Sequence, residues 1–123
     1  MKNARKTKTE KGFVRKSSLV KAILDSNFQE AVEIIGNNPQ SVNEIHTSSG
    51  MSATMLAAYG RLPAYLEEIF RYGYLVDFTH RDKLGFDLHE IAVESLEPEV
   101  LRLVVEAYNV HAPHIINNWP EPN

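Results

Sequence analysis

The sequence predicts an all-α protein made of stacked pairs of short helices, and two observations support this fold class. The first is a helix-turn-helix pair in the middle of the chain: an apolar segment at 53–59, a turn at Gly60 and Arg61, and a second segment from Pro63 to Tyr72. The second is a self-similarity of the chain at a shift of 34 or 35 residues. Helix pairs that recur at such an interval are typical of stacked repeat proteins.

The boundaries of the middle helix pair have a local physical cause. Pro63 suits the first turn of a helix, where the N–H that proline lacks would have no partner. Gly73 suits the left-handed position just beyond a helix end. Ile69 and Phe70 follow Leu66 by three and four residues, which places all three on one face of the helix. This apolar face needs a neighbouring element to pack against.

The self-similarity supplies such neighbours. Positions that recur 35 residues apart are Ala22, Ala57 and Ala92, and also Ile34, Ile69 and Val104; positions that recur 34 apart are Val42, Val76 and Val110. The sequence therefore predicts three units, at about 17–49, 50–84 and 85–111. They lie between an N-terminal tail at 1–16 and a C-terminal tail at 112–123.

The first unit is predicted to open with a helix that is capped by Ser17 or Ser18, runs to Leu24 and is broken at Asn27. A second helix follows at 28–35. The first helix carries lysine on an outer face, which suits an end unit, because one side of such a unit faces water.

The third unit is predicted to begin with Asp87 as a helix cap, and Pro98 is expected to open a second helix that reaches Tyr108. After His111 the chain contains three prolines and the single tryptophan, Trp119, which predicts a non-helical tail. Trp119 is expected either to cover the last helix pair or to contact a partner.

Many residues of these units match the pattern of one family. The matching residues are Gly50, Ala57, Ala58, Leu66, Ile69, Phe70, Gly73, Val76, Asp77, Arg81, Asp82, Lys83 and Gly85. This pattern resembles the ankyrin repeat, over about residues 17–111. The Thr-Pro-Leu-His opening of that repeat is altered to Ser-Ala-Thr-Met at 52–55 and to Asp-Leu-His-Glu at 87–90. The resemblance implies an ankyrin-like stack with hairpin-like connecting loops; a generic array of helical hairpins is the alternative.

The composition excludes several classes of protein. The 123 residues include no cysteine, so the chain has no disulfide, thiol nucleophile or cysteine-based zinc site. No apolar run approaches the length of about 18–20 residues that a membrane span needs, and the N-terminus lacks the apolar core of a secretory signal. We therefore expect a cytoplasmic protein without a membrane partner.

Charge is divided unevenly along the chain. Residues 1–16 carry seven basic residues and one acidic residue, a formal charge of +6, whereas the remaining six basic and fifteen acidic residues give −9. A basic tail of this kind is predicted to be a solvated terminus, to bind nucleic acid, or to fold back onto the acidic body. Only Phe13 could stack on a base, and single-strand binders usually have several such aromatic residues.

Catalytic motifs are missing from the sequence. It contains no glycine-rich phosphate loop, no Gly-x-Ser-x-Gly elbow and no His-Glu-x-x-His zinc helix. His111 and His114 would form an incomplete metal ligand set. His89, Glu90 and Asp87 could form an acid-base cluster, but neighbouring positions on a helix point in different directions. The resemblance instead places His89 at a structural opening position. The sequence predicts neither an enzyme nor a bound metal or cofactor.

The resemblance implies a partner-binding surface on the loop tips and on the exposed side of the first helix of each unit. The corresponding residues are Ser48, Ser49, Met51, Tyr59, Arg81, Lys83, Leu84, Phe86, Glu94 and Ser95. The apolar residues Met51, Tyr59, Leu84 and Phe86 are expected at the centre of this surface, with Arg81 and Lys83 at its rim. The alternative is that Leu84 and Phe86 pack beneath their loop.

These patterns favour a non-catalytic module that binds another protein through the concave face of the stack, as an inhibitor or an adaptor. The acidic body suits a basic partner. The alternative function is a nucleic-acid-associated regulator that uses the basic N-terminal tail, whose affinity would fall steeply with salt.

Overall fold

The computed structural model describes residues 17–116 of the protein, and in this part of the chain the structure is mostly helical and contains no β-strand. The α-helices of these residues are α1 (Leu19–Leu24), α2 (Phe28–Asn37), α3 (Ala53–Tyr59), α4 (Pro63–Phe70), α5 (Leu88–Glu94), α6 (Pro98–His111) and α7 (Pro113–Ile116). Two 3-10 helices follow α2 and α4, at Pro39–Asn43 and Gly73–Leu75. The all-α prediction is confirmed. The predictions for the tail at 1–16 and for Trp119 lie outside the described residues.

The helices pack as pairs in two rows. Helix α1 contacts α2, α3 contacts α4, and α5 contacts α6. Across the pairs, α3 lies between α1 and α5 in one row, and α4 lies between α2 and α6 in the other. The core lies between the rows; its largest fully buried side chains include Leu19, Ile35, Met55, Leu66, Ile69, Leu88, Ile91 and Tyr108.

Small residues hold the first row together. Ala22, Ala57 and Ala92 lie in α1, α3 and α5, and all three are buried. Because the distance between packed helices depends on the side chains at their contact, alanine at these positions lets neighbouring helices approach closely.

Side-chain caps fix the start of several helices. The Ser18 hydroxyl accepts a hydrogen bond from the Lys21 N–H and caps α1, as predicted. Asn27, which was expected only to break α1, also caps α2 by accepting from the Glu30 N–H. Asp87 and Glu90 form a reciprocal capping box at the start of α5.

The turns within the three pairs share an unusual backbone conformation. Ser26, Arg61 and Leu96 have φ angles of 56°, 61° and 57°, and these residues lie 35 apart in the sequence. Glycine is not used at these positions; Gly60, in the middle turn, has an ordinary φ of −78°.

Gly73 does not have the left-handed backbone that the sequence suggested. Helix α4 ends at Phe70 with Arg71 as its cap, and Gly73 begins the following 3-10 helix. The physical reason for glycine is space, because a Cβ at this position would collide with the imidazole of His111.

The loops that precede α3 and α5 are both hairpin-like. In the first hairpin loop (residues 44–53), the His46 N–H donates to the Met51 carbonyl at 2.8 Å, and Ile45 and Ser52 form an isolated antiparallel bridge. In the second hairpin loop (residues 80–87), the Asp82 N–H donates to the Phe86 carbonyl at 3.0 Å. Gly50 and Gly85 supply the left-handed residue of each turn, with φ angles of 78° and 89°.

Hydrogen bonds link these loop regions to one another. The Lys83 N–H donates to the Ser49 carbonyl at 3.0 Å, which joins the two hairpin loops. The Asn43 side chain donates to the Leu75 carbonyl at 2.7 Å and accepts from the Asp77 N–H at 2.9 Å. One asparagine therefore joins the segments that follow α2 and α4.

The beginning of the C-terminal segment is helical, which contradicts the predicted non-helical tail for Pro113–Ile116. Proline at the first position of α7 needs no N–H partner, so it starts this short helix without breaking it. Ile115 and Ile116 are partly buried against the core, and this contact favours a further helical turn after Ala112.

Among residues 17–116, no helix combines the length and the apolar character that would be needed to cross a lipid bilayer.

Candidate functional site

An open, mostly apolar groove of about 460 Å³ lies between the first two helix pairs. It is bordered by the end of α1, the first hairpin loop, and the end of α3 with its turn. The lining residues are Ile23, Leu24, Ser26, His46, Ser49, Met51, Leu56, Tyr59, Gly60 and Leu62. We call this surface the inner groove.

Two large apolar side chains of the inner groove are exposed to solvent. Leu24 is the last residue of α1 and is 55% exposed, and Tyr59 is the last residue of α3 and is 61% exposed. They lie 35 residues apart and therefore take the same position in successive helix pairs. Neither side chain is needed to fill the core, so both are free to contact a partner.

The first hairpin loop forms one wall of the groove. Its Met51 side chain is partly buried against the core. The Ser49 hydroxyl lies 2.8 Å from His46 Nδ1 and accepts a hydrogen bond from the Met51 N–H at 3.1 Å. Ser49 therefore fixes the shape of the wall, while Ser48 beside it is exposed.

The second hairpin loop carries further exposed apolar side chains outside the inner groove. Leu84 is 80% exposed and Phe86 is 39% exposed, so neither is buried beneath the loop. The loop is held by Asp82, whose buried carboxylate accepts from the N–H groups of Leu84 and Phe86, each at 2.9 Å.

Arg81 is tied to its own loop and to α5. Its guanidinium donates to the Gly85 carbonyl at 2.6 Å and lies 3.4 Å from Glu90 and 3.9 Å from Asp87. These contacts give Arg81 a structural role, although more than half of its side chain remains exposed.

Ser95 is buried, contrary to the exposed position that the family resemblance implies. Its hydroxyl donates to the Ala92 carbonyl at 2.7 Å and accepts from the Glu97 N–H at 3.2 Å. The hydroxyl is used to end α5, so it is not available to a partner. Glu94, the neighbouring predicted residue, is exposed.

The structure therefore divides the predicted partner-binding residues. Ser49, Met51 and Tyr59 come together in the inner groove. The predicted residues that lie on the second hairpin loop or α5 and do not line this groove are Arg81, Lys83, Leu84, Phe86, Glu94 and Ser95.

Sequence reasoning missed the contribution of the first helix pair to the groove. Leu24 could have been found, because it precedes Tyr59 by one 35-residue interval. Leu56 and Leu62 had no such signal, since a leucine in an apolar helix pair fits the core equally well. Which of their atoms face the groove depends on how the pairs pack.

The titrating groups of the described residues whose pKa values are shifted, Asp77, Glu99, Arg102 and Tyr108, all lie outside the inner groove. The hydroxyl of Thr79 donates to Asp77 at 2.6 Å and lowers the pKa of that carboxyl. Burial raises the pKa of the Tyr108 hydroxyl, which accepts a hydrogen bond from the His89 N–H at 3.2 Å.

Two of the histidines considered in the sequence, His111 and His89, have ring contacts with aromatic side chains. His111 stacks on Phe78 with ring centroids 6.4 Å apart, and His89 meets Tyr108 edge-on at 6.2 Å. Within residues 17–116, no three potential metal ligands come together.

No protein-family model matches the chain, and no curated protein or solved structure shows significant similarity to it.

Proposed function

We propose that this protein is an ankyrin-like repeat protein that binds another protein through the inner groove, without catalysis. The observation that carries the proposal is the pair of exposed side chains, Leu24 and Tyr59, beside an apolar groove of about 460 Å³. Tyrosine is among the residues that most often anchor protein interfaces, and apolar neighbours such as Leu24 exclude water around it.

Recurring backbone geometry supports the repeat part of the proposal. The left-handed residues Ser26, Arg61 and Leu96 recur at intervals of 35 residues, as do Gly50 and Gly85 in the hairpin loops. The two rows of helices have the neighbour-to-neighbour contacts that a stack of repeated units requires.

The form of the groove favours a macromolecular partner. Sites for small molecules are usually clefts that surround most of the ligand and hold a few convergent polar groups. The inner groove is open, and its polar side chains Ser49 and His46 are already joined to each other. A protein segment laid across the groove would bury Leu24, Tyr59 and Met51 together.

We propose that the protein acts as an inhibitor or an adaptor, because a protein that binds without catalysis acts by blocking its partner or by linking it to another protein. The proposal includes a cytoplasmic location, which a chain without cysteine permits.

The test compares Tyr59→Ala with Tyr74→Ala, a matched control because Tyr74 is 69% exposed and does not line the groove. Each tagged full-length variant is used for affinity capture from nuclease-treated lysate, after circular dichroism has shown unchanged helicity. We expect the parent and Tyr74→Ala to retain one stoichiometric protein and Tyr59→Ala to retain at least about tenfold less. Equal capture by all three proteins would contradict the proposed site.

The alternative function is nucleic-acid association through residues 1–16, and the formal charge of +6 on this segment favours it. It predicts capture that disappears after nuclease treatment or after the seven basic residues are replaced by glutamine. Tyr59→Ala would then have no effect on capture.

A further inference from the structure

A separate cavity of about 430 Å³ lies where the described chain enters α1. Its lining residues come from the segment before α1 and from residues 38–44, which follow α2. They are all polar: Ser17, Ser18, Asn38, Gln40, Ser41 and Glu44. None of them lines the inner groove. We call this cavity the entry cavity.

Ser41 in the entry cavity has an unused hydroxyl. The residue is 7% exposed, and its Oγ is buried without a hydrogen-bond partner among the described residues. Buried hydroxyl groups nearly always have a partner, because the loss of water without a replacement is unfavourable. A hydroxyl can accept a hydrogen bond, so a donor from outside residues 17–116 would satisfy it.

Glu44 contributes an uncompensated negative charge to the same cavity. Its carboxylate accepts from the Ser18 hydroxyl at 2.5 Å and from the Leu19 N–H at 2.8 Å, and these donors are neutral. No basic side chain of residues 17–116 lies within 4 Å of this carboxylate. A lysine ammonium or an arginine guanidinium would suit both Glu44 and Ser41, because each carries positive charge and several N–H donors.

A smaller cavity of about 180 Å³ beside the entry cavity is acidic. It shares Ser17 and Asn38 with the entry cavity, and Glu30 and Glu33 of α2 also line it. Both glutamates are exposed, and neither has a basic side chain of residues 17–116 within 4 Å. Residues three apart are neighbours on a helix surface, so the two carboxylates repel each other. Cations placed beside them would reduce this repulsion.

The chain itself supplies cations at this place. Ser17 lines both cavities, and Arg15 and Lys16 come directly before it in a segment, residues 1–16, whose formal charge is +6. Two residues extend at most about 7 Å, so both basic residues begin beside the cavities. A group on so short a tether has an effective concentration in about the millimolar range, so it binds ahead of a free basic ligand.

We propose that residues 1–16 bind to this acidic face of the first helix pair. The side chain of Arg15 or Lys16 occupies the entry cavity and donates to Ser41 Oγ and to the Glu44 carboxylate. Other cations of the segment pair with the carboxylates of α2. This contact goes beyond the proposed function, since the two cavities share no residue with the inner groove. It also makes the tail less available to nucleic acid, because phosphates would have to displace the carboxylates.

A spin label detects this contact in the full-length protein. The chain has no cysteine, so a nitroxide on Thr9→Cys labels a single site. We expect amides of residues 27–44 to lose signal intensity by paramagnetic broadening at low ionic strength. They should recover it in about 1 M salt, where the screening length is about 3 Å. The label is tethered near this face in every sample, so the decisive quantity is the change between charge variants.

The variant Glu30→Gln/Glu33→Gln should recover most of the lost intensity over residues 27–44. The matched control is Glu67→Gln/Glu94→Gln, which neutralises two exposed glutamates that line neither cavity. Neither of them has a basic side chain of residues 17–116 within 4 Å. This control should keep the broadening of the parent. Equal broadening in the two variants would overturn the proposal.

A double-mutant cycle tests the cation in the entry cavity. Ser41→Ala should lower the urea midpoint of the parent, because it removes the acceptor of a charged donor. The same substitution should not lower the midpoint of Arg15→Ala/Lys16→Ala, which lacks both candidate donors. Equal shifts in the two backgrounds would show that neither cation uses the hydroxyl and would overturn its assignment to the cavity. The lining of the inner groove is unchanged in every variant, so these results are independent of the proposed function.

Discussion

At Gly73, the side chain of a distant residue occupies the space where a Cβ would lie. The imidazole of His111 fills this space and stacks on Phe78. Replacement of Gly73 by alanine should therefore lower the free energy of unfolding by about 1–3 kcal/mol, because either the ring or the backbone must move. Gly36 in α2 is the matched control, since a Cβ there meets nothing within 4 Å.

Urea unfolding of the two alanine variants checks this prediction. Gly36→Ala should leave the protein unchanged or raise its stability by about 0.5 kcal/mol, because alanine restricts the unfolded chain more than glycine does. The double variant Gly73→Ala/His111→Ala should recover part of the stability lost in Gly73→Ala. If Gly73→Ala is as stable as Gly36→Ala, the collision with His111 has no energetic consequence.

The structural roles of some residues could be predicted from the sequence alone, whereas those of others could not. Asp87 and Pro63 act through neighbours a few residues away, so local chemistry predicts their roles at the start of α5 and α4. Gly73 depends on His111, which lies in a different helix pair, and glycine at a helix end looks the same whether it provides a left-handed backbone or space. Ser95 was misplaced because a hydroxyl suits both a surface and a helix end.

Among the connecting elements, the hairpin loops contain two glycines that require different explanations. Gly50 and Gly85 both have left-handed backbone, which costs a residue with a Cβ about 1–2 kcal/mol. A Cβ at Gly50 would also lie 2.8 Å from the backbone nitrogen of Lys83, whereas a Cβ at Gly85 meets nothing within 4 Å. Gly50→Ala should therefore destabilise the protein by about 1 kcal/mol or more beyond Gly85→Ala.

Thermal and urea unfolding of both loop variants supply the comparison. The Gly50→Ala variant should also weaken the link between the two hairpin loops, seen as faster amide exchange at Lys83. Equal losses of stability in the two variants would show that only the backbone conformation matters at Gly50.

The sequence predicted most helices because each of them has local boundary signals. The bounds of α3 agree with the predicted segment 53–59, and α4 begins at the predicted Pro63. Helix α7 was missed because proline was taken to end helical structure, whereas partial burial of Ile115 and Ile116 against the core favours one more turn. Local composition contains no information about that tertiary contact.

For the molecule as a whole, the number of neighbouring helix pairs that each helix contacts predicts which helices unfold first. Helices α3 and α4 have a neighbouring helix pair on each side, whereas α1 is flanked on one side only among the main helix contacts. When units support mainly their neighbours, an end unit opens at lower free energy than a middle one.

Native-state hydrogen exchange tests this order. Amides of α3 and α4 should exchange slowest, and those of α1 should exchange faster by about tenfold or more. Uniform protection across α1 to α6 would instead indicate a single cooperative unit that opens all at once.

The groove was only partly predictable at this scale. The family resemblance predicted Tyr59 and Met51 as partner-binding residues, and both line the groove. The 35-residue spacing indicates in addition that Leu24 takes the place equivalent to that of Tyr59. The pairing of the charged side chains, which leaves Arg61 and Lys83 as the basic residues of 17–116 without a carboxylate within 4 Å, depends on distances between side chains. A charge count along the chain indicates only the acidic total.

The left-handed turns at Ser26, Arg61 and Leu96 have a consequence for protein engineering. Non-glycine residues in this conformation cost on the order of 1–3 kcal/mol each, which is a large share of the 5–15 kcal/mol that holds a typical small domain folded. Leu96 is 85% exposed, so its side chain contributes little to the core. Replacement of Leu96 by glycine or asparagine should therefore give a more heat-resistant protein. It does not alter any residue that lines the inner groove.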